Sequence, residues 1–193
     1  MNAPRARPIA VSLGDPAGIG PEITVKARAA LGPEPRLLAI GDPATLAPWA
    51  EAAGLRLTGP EDAPGPDTLA VLAEPLAAPP RPGQPDPANA AATIAGIRRG
   101  AEMAGDGRAS ALVTAPINKA ALIAGAGFAF PGHTEFLAHL SDTPRPVMML
   151  AGPDLRVVPV TIHIPLAEVP ARLTPALLEE TLRVTEAGLR RDF

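Results

Sequence analysis

Cysteine is absent from this 193-residue chain, and aromatic residues make up only 3% of it. Without cysteine, the protein can form neither a disulfide framework nor a thiolate metal site. Because aromatic rings are so few, the core must be built from alanine, valine, leucine and isoleucine. A basic surface interleaved with aromatic residues is also lacking, and the formal net charge at pH 7 is -3. This composition argues against nucleic-acid binding.

Long hydrophobic runs are missing as well. No stretch approaches the ~20 apolar residues of a membrane span. Arg5 and Arg7 are not followed by the apolar run that a signal peptide would need. We therefore expect a soluble, cytoplasmic protein that does not bind membranes.

Glycine and proline are abundant, with 18 and 26 residues respectively. A hydrophobic share of 47% nevertheless favours a packed globule over a disordered chain, and most prolines fall at the boundaries of predicted elements. Residues 74–87 contain six prolines. This segment is either a boundary between two lobes or a long surface loop.

Short apolar runs alternate with helix-like segments along most of the chain, which predicts an α/β fold with helices on both faces of a sheet. Two later runs, 147–151 and 157–164, flank a turn that contains glycine, proline and aspartate, and this pattern predicts an antiparallel hairpin. The expected architecture is therefore a three-layer α/β/α fold with a mixed sheet. Strands are predicted at residues 9–13, 37–40, 55–58, 68–72 and 109–113.

The first candidate site is a glycine-rich loop at residues 14–20, between a predicted strand and a helix. Such a loop can present backbone N–H groups to an anion or a cofactor, which makes Asp15 and Gly18 possible site-lining residues. The loop fits neither the dinucleotide fingerprint nor the phosphate loop. A tight strand–helix turn without a ligand is the alternative interpretation.

The second candidate site follows the predicted strand at 109–113. Ligands in open α/β sheets bind at the C-terminal ends of strands, so Thr114, Asn118 and Lys119 are candidates for lining a site. The alternative is that Asn118 only caps a helix and Lys119 is a solvated charge.

Two histidines complete the candidate residues. His133 and Thr134 begin a predicted amphipathic helix, where N–H groups, a hydroxyl and an imidazole can face a phosphate or carboxylate; alternatively, Thr134 is only an N-cap. His163 is predicted near the end of the second hairpin strand, on the same face as Thr161. A lone histidine is more often structural than a ligand. The last helix is predicted to start at Thr174 and to bury its leucines, Leu178, Leu182 and Leu189.

Four motifs taken together resemble the 4-hydroxythreonine-4-phosphate dehydrogenase family, whose fold is that of the isocitrate and isopropylmalate dehydrogenases. The motifs follow the family's order and approximate spacing, and GHTEF is the most specific part of them. They are GDPAGIGPE (14–22), TAPINKAAL (114–122), FPGHTEFL (130–137) and VTIHIPL (160–166).

The resemblance implies NAD- or NADP-dependent oxidation of 4-hydroxy-L-threonine 4-phosphate. Loss of carbon dioxide then gives 3-amino-2-oxopropyl phosphate, on the route to pyridoxal 5′-phosphate. It also implies a homodimer with a divalent metal (Zn, Mg or Co) held by three histidines at the interface. By motif, His133 and Thr134 would bind the substrate and His163 would be the first metal ligand. Asp15, Lys119 and the glycine loop would line the site.

The family's other metal ligands and much of its cofactor site belong to a C-terminal part that has no counterpart here. The chain therefore resembles the N-terminal portion of such an enzyme, and we expect it to be inactive by itself. Two alternatives remain open. One is a dehydrogenase of the same scaffold that acts on a 4-phosphorylated threonate or erythronate, or on a dihydrodiol carboxylate. The other is a non-catalytic fragment that binds a phosphorylated ligand or a partner chain.

Overall fold

The computed structural model describes residues 7–193, apart from the side chain of Asp192, and divides them into two compact units. The first unit extends to Ser141 and the second runs from Asp142 to Phe193. The stretch around Arg5, where we expect no signal peptide, lies outside the described residues. No described helix is long and apolar enough to cross a membrane.

The first unit is built on a five-stranded parallel sheet with the strand order β3-β4-β2-β1-β5. The chain first adds strands on one side of β1 and then returns to place β5 on its other side. This reversal of direction creates a crevice at the C-terminal ends of β1 and β5. The strands are β1 (Ile9–Ser12), β2 (Leu37–Gly41), β3 (Arg56–Thr58), β4 (Thr68–Ala73) and β5 (Ala111–Thr114).

Helices cover both faces of this sheet, which confirms the predicted α/β/α layering. One apolar cluster joins Leu13 to Val25 of α1 and Leu46 of α2. On the opposite face, Ala10 and Ile40 pack with Met103 of α3. The helices of this unit are α1 (Gly20–Leu31), α2 (Pro43–Ala52), α3 (Ala90–Gly105), α4 (Lys119–Ala126) and α5 (His133–Leu140), and a 3-10 turn at Pro87–Asn89 precedes α3.

The prediction of a mixed sheet is wrong. Every strand pair in the large sheet is parallel. After each strand, a helix or a long loop carries the chain back to the end of the sheet at which the next strand starts. The predicted antiparallel hairpin does form, as β6 (Leu150–Ala151) and β7 (Arg156–Val157), but it is a separate two-stranded sheet in the second unit.

Strand β5 is less enclosed than its apolar sequence predicts. It pairs with β1, and Leu112 packs beneath α3. The contact is close: a Cβ added to Gly100 of α3 would lie 2.6 Å from the Cδ1 atom of Leu112. Ala111 and Val113 point the other way and are exposed, Val113 by 51%. One face of β5 is therefore left uncovered in the described part of the chain.

The proline-rich segment 74–87 runs as a loop within the first unit and is tied to the strand ends. Leu76 donates its N–H to the carboxylate of Asp42, and Gly83 donates to the carbonyl of Ala17. The buried side chain of Asn89 forms two hydrogen bonds with the backbone of Ala78. These bonds fix the loop in place, although its prolines cannot donate backbone hydrogen bonds.

The second unit contains the hairpin, a 3-10 turn (Leu166–Glu168), the short helix α6 (Val169–Arg172) and the long helix α7 (Pro175–Asp192). As predicted, Thr174 caps α7, and its hydroxyl accepts from the N–H of Leu177. The prediction that α7 buries its leucines is wrong for two of them, because Leu178 and Leu182 are 41% and 59% exposed.

The predicted strand 157–164 does not extend beyond Val157. Pro159 lacks a backbone donor, and His163 has φ +57°, a left-handed conformation that a strand cannot contain. The expected shared face of Thr161 and His163 therefore does not exist.

We predict that Gly125→Ala destabilises the first unit by about 2 kcal/mol. A Cβ at position 125 would lie 1.9 Å from the carbonyl oxygen of Pro87, and rigid backbone cannot yield as a side chain does. Gly105→Ala, at the end of α3, is the matched control because nothing lies within 4 Å of its added Cβ. Urea unfolding of both variants checks this, and equal free energies of unfolding would contradict it.

Candidate functional site at the ends of β1 and β5

The crevice at the ends of β1 and β5 brings two predicted motifs into direct contact. Asp15 donates its N–H to the carbonyl of Pro116 at 2.9 Å, and Ala115 donates to Ser12 at 2.9 Å. Gly14 makes this approach possible: it has φ +68°, and any Cβ there would lie 2.2 Å from the Pro116 oxygen. The loop after β1 and the loop after β5 therefore form one surface.

The glycine-rich loop is itself a compact turn. The carboxylate of Asp15 accepts the N–H of Ala17 at 2.9 Å, and its carbonyl accepts the N–H of Gly18 at 3.0 Å. These amides are therefore not available to an anion. This part of the loop is thus a tight strand–helix turn, and a site-lining role for Asp15 and Gly18 stays a prediction.

The three residues predicted to line a site after β5 lie in different environments. Thr114 ends the strand beside Ser12. The side chain of Asn118 accepts from the N–H of Ala121 at 3.0 Å and so caps α4, as the alternative interpretation stated. Lys119 is exposed to solvent.

Asp15 and Asn118 nevertheless line the same small depression. Its wall is completed by Asp86, Asn89 and Thr93, none of which we singled out as site residues from the sequence. The Thr93 hydroxyl lies 3.4 Å from the Gly14 carbonyl and 3.2 Å from that of Asn89. The four-residue spacing of Asn89 and Thr93 predicts that the two residues share a helix face. Their position beside Gly14 depends on a contact between distant segments, which no local sequence pattern predicts.

His133 is the most distinctive side chain among the predicted residues. It starts α5 after the N-cap Gly132, and its ring is partly buried. Its Nε2 is fully enclosed and has no hydrogen-bond partner within the described residues. Burial lowers the pKa of His133 below its ordinary value, because a charged imidazole is poorly solvated there. The ring is thus held neutral beside the positive end of a helix.

An aromatic cluster fixes α5 to the rest of the unit. Phe136 is 2% exposed and contacts Phe128 edge-on at 5.2 Å between ring centroids. It also belongs to the apolar cluster that contains Leu122 of α4 and Ile97 of α3. His139, on the same helix, is exposed and packs beside Phe130. The backbone of His133 and Thr134 is therefore anchored by packing immediately below it.

His163 lies in the second unit and is exposed. Across residues 7–193, no group of three or more histidine or acidic side chains is placed to hold a metal ion. One imidazole alone is too few ligands for a Zn²⁺ site, which needs three or four. Among the described residues, His163 therefore has no companion ligands, and its role as a metal ligand stays a prediction.

Comparison with known families decides between a local resemblance and common descent. The family described as pyridoxal phosphate biosynthetic protein PdxA matches residues 34–193. The chain belongs to the PdxA family.

Curated PdxA relatives are named 4-hydroxythreonine-4-phosphate dehydrogenase. The protein of Paracoccus denitrificans (strain Pd 1222) is 51% identical over 197 residues, which is 97% of this chain and 58% of the relative. The protein of Maricaulis maris (strain MCS10) is 50% identical over 96% of this chain and 59% of its own length. The chain thus spans less than two thirds of these relatives.

Solved structures agree with this assignment. A 4-hydroxythreonine-4-phosphate dehydrogenase from Klebsiella pneumoniae superposes with a TM-score of 0.87 at 36% identity, over 96% of this chain and 60% of that one. A terephthalate 1,2-cis-dihydrodiol dehydrogenase from Burkholderia xenovorans LB400 has a TM-score of 0.65 at 30% identity, over 93% of this chain and 55% of that one. The PdxA scaffold is thus shared with a dehydrogenase that is named for a different substrate.

We predict that His133 makes the stability of the chain depend on pH. Its pKa is lowered in the folded state, so the unfolded chain binds a proton more readily as the pH falls through ~6.5. The free energy of unfolding should be unaffected by this residue above pH 7.5 and should decrease below pH 6.5. Urea unfolding at pH 7.5 and 5.5 measures the effect.

His133→Gln should reduce that decrease, because the variant cannot take up the proton. His139→Gln is the control, since His139 is exposed on the same helix. An identical pH dependence in the wild type and His133→Gln would contradict the prediction.

Proposed function

We propose that this chain is the substrate-binding portion of a cytoplasmic 4-hydroxythreonine-4-phosphate dehydrogenase that acts in pyridoxal 5′-phosphate biosynthesis. The whole enzyme would have the isocitrate dehydrogenase-like fold, of which this chain is the N-terminal part. It would oxidise 4-hydroxy-L-threonine 4-phosphate with NAD or NADP and then release carbon dioxide. By itself, the 193-residue chain is expected to be inactive.

The enclosed, unpartnered Nε2 of His133 is the observation that carries this proposal. A buried polar atom without a partner is rare in a folded protein and calls for an explanation. A change in the conformation of the His133 side chain on substrate binding would let a substrate atom supply the missing partner, and Thr134 would add a hydroxyl one residue along the same helix. Because burial keeps the imidazole neutral, the ring can donate or accept a hydrogen bond without bringing its own charge.

The metal and cofactor sites require more than this chain. We propose that His163 contributes one ligand to a divalent metal (Zn, Mg or Co), with the remaining ligands supplied by polypeptide that the chain does not span or by a second subunit. When bound, such an ion would stabilise negative charge on the substrate oxygen. A homodimer with the site at its interface is part of the same proposal.

A second candidate is a dehydrogenase that acts on a dihydrodiol carboxylate. The similarity to the Burkholderia xenovorans enzyme favours it, but that similarity is weaker in both TM-score and identity than the match to the Klebsiella pneumoniae enzyme. A 4-phosphorylated threonate or erythronate is a further possible substrate. A comparison of turnover between the amino-acid substrate and these analogues discriminates among them.

We predict that the purified chain does not reduce NAD or NADP in the presence of 4-hydroxy-L-threonine 4-phosphate and a divalent metal. Activity should appear when the part of the Paracoccus denitrificans relative that this chain does not span is supplied. In that mixture, His133→Gln should lower kcat/KM by about ten- to hundredfold, as expected for a lost hydrogen bond to a charged group.

His139→Gln serves as the control in this assay because it changes an exposed histidine of the same helix. NAD reduction by the chain alone would overturn the expected inactivity. Equal kcat/KM for wild type and His133→Gln would overturn the assigned role of His133.

A further inference from the structure

A second buried polar atom without a partner lies at the end of β1. Ser12 is 1% exposed, and its Oγ atom has no hydrogen-bond partner within residues 7–193. Its backbone, in contrast, is paired, and its carbonyl accepts the N–H of Ala115 at 2.9 Å. Leaving a hydroxyl buried and unpaired costs free energy, so folded proteins rarely do it. The Ser12 side chain therefore calls for a partner outside the polypeptide.

The side chain of Ser12 faces α3 and a cavity. Successive side chains of a strand point to opposite faces, and Ala10, two residues earlier, packs with Met103 of α3. The cavity on this side of the sheet, which we call the Ser12 cavity, encloses about 310 Å³, part of it open to solvent. Its interior has room for about one water molecule. The walls come from α3 and the ends of β1, β2 and β4, and include Ser12, Gly14, Gly41, Glu74, Thr93 and Gly96.

The negative charges around the Ser12 cavity already have partners. The carboxylate of Asp42 accepts the N–H groups of Ala44 and Leu76 at 2.8 and 3.0 Å. The carboxylate of Glu74 lies 3.5 Å from the Nε atom of Arg99. A hard cation needs about six oxygen ligands, and no group of three or more acidic or histidine side chains in the described chain is placed to hold one. A neutral occupant therefore fits this cavity better than a cation.

A water molecule matches the donors and acceptors that remain. The Ser12 hydroxyl can both donate and accept a hydrogen bond. The Thr93 hydroxyl, 3.4 Å from the Gly14 carbonyl, keeps an acceptor lone pair, and the Glu74 carboxylate can accept further hydrogen bonds. An apolar molecule would leave Ser12 unpaired. Buried waters typically make about three hydrogen bonds, which these groups can supply.

We propose that the Ser12 cavity binds one ordered water molecule, which pairs with the Ser12 hydroxyl and joins the end of β1 to α3. Gly14 follows Ser12 by two residues and lies beside Thr93, so this water supports the loop that carries Gly14. Ser12 thus acts on the crevice through the bound water. The inference concerns how the crevice is held together and goes beyond the proposed dehydrogenase activity.

The sign of the stability change in Ser12→Ala tests this proposal. If the hydroxyl is paired with water, the substitution removes a hydrogen bond, and the folding equilibrium constant should decrease about fivefold. If the hydroxyl is unpaired, the substitution removes a buried polar group without a partner, and stability should stay the same or increase. Urea unfolding measures the difference. Ser110→Ala is the control, because Ser110 is exposed and should unfold like the wild type.

A crystal structure at a resolution that shows ordered solvent gives an independent readout. Density for a water molecule should lie about 2.5–3.0 Å from the Oγ atom of Ser12. A third measurement replaces sodium and potassium by choline at constant ionic strength, and the stability of the wild type should not change.

A Ser12→Ala variant that is as stable as the wild type, or more stable, would overturn the inference, and so would the absence of density beside Oγ. Stability that depends on sodium or potassium in the wild type but not in Ser12→Ala would assign the cavity to a cation and would also overturn it. None of these measurements needs substrate or turnover. Their outcome is therefore independent of whether the proposed function holds.

Discussion

The close approach of the β1 and β5 loops at Gly14 is the constraint on which the rest of the first unit depends. A side chain at this position would collide with the Pro116 carbonyl, and the backbone is left-handed there. Gly20 meets the same demand, because a Cβ would lie 1.8 Å from the carbonyl of Leu13. Together they let the loop after β1 pack directly against the loop after β5. The depression shared by Asp15 and Asn118 is a direct consequence.

The same contact explains how the glycine-rich loop uses its glycines and amides within the fold. Glycine in such loops can serve a ligand or can serve a close backbone approach. Here Asp15 and its own carbonyl take up the amides of Ala17 and Gly18, while Gly14 makes room for Pro116. Among the residues predicted from the sequence, it is His133 whose buried nitrogen still lacks a partner within residues 7–193. Any ligand chemistry of this unit is therefore best sought at α5.

The sequence predicted what local rules control. The cap at Asn118 and the start of α7 at Thr174 form as proposed, because each needs only a side chain and an amide three residues away. The parallel strand order was not predictable, since it depends on which distant strands pair. The exposure of Leu178 and Leu182 was missed for a related reason: a helical apolar pattern shows that a face is to be covered, but not by what.

The contrast between the two units connects these observations to the family assignment. The first unit, through Ser141, packs apolar layers on both faces of its sheet and encloses the Nε2 atom of His133. The second exposes its apolar side chains and places His163, a potential metal ligand, on the surface without companions among the described residues. The first unit is stabilised by its own apolar packing, whereas the second buries only Thr181 among its described side chains and so gains little hydrophobic free energy from its own fold.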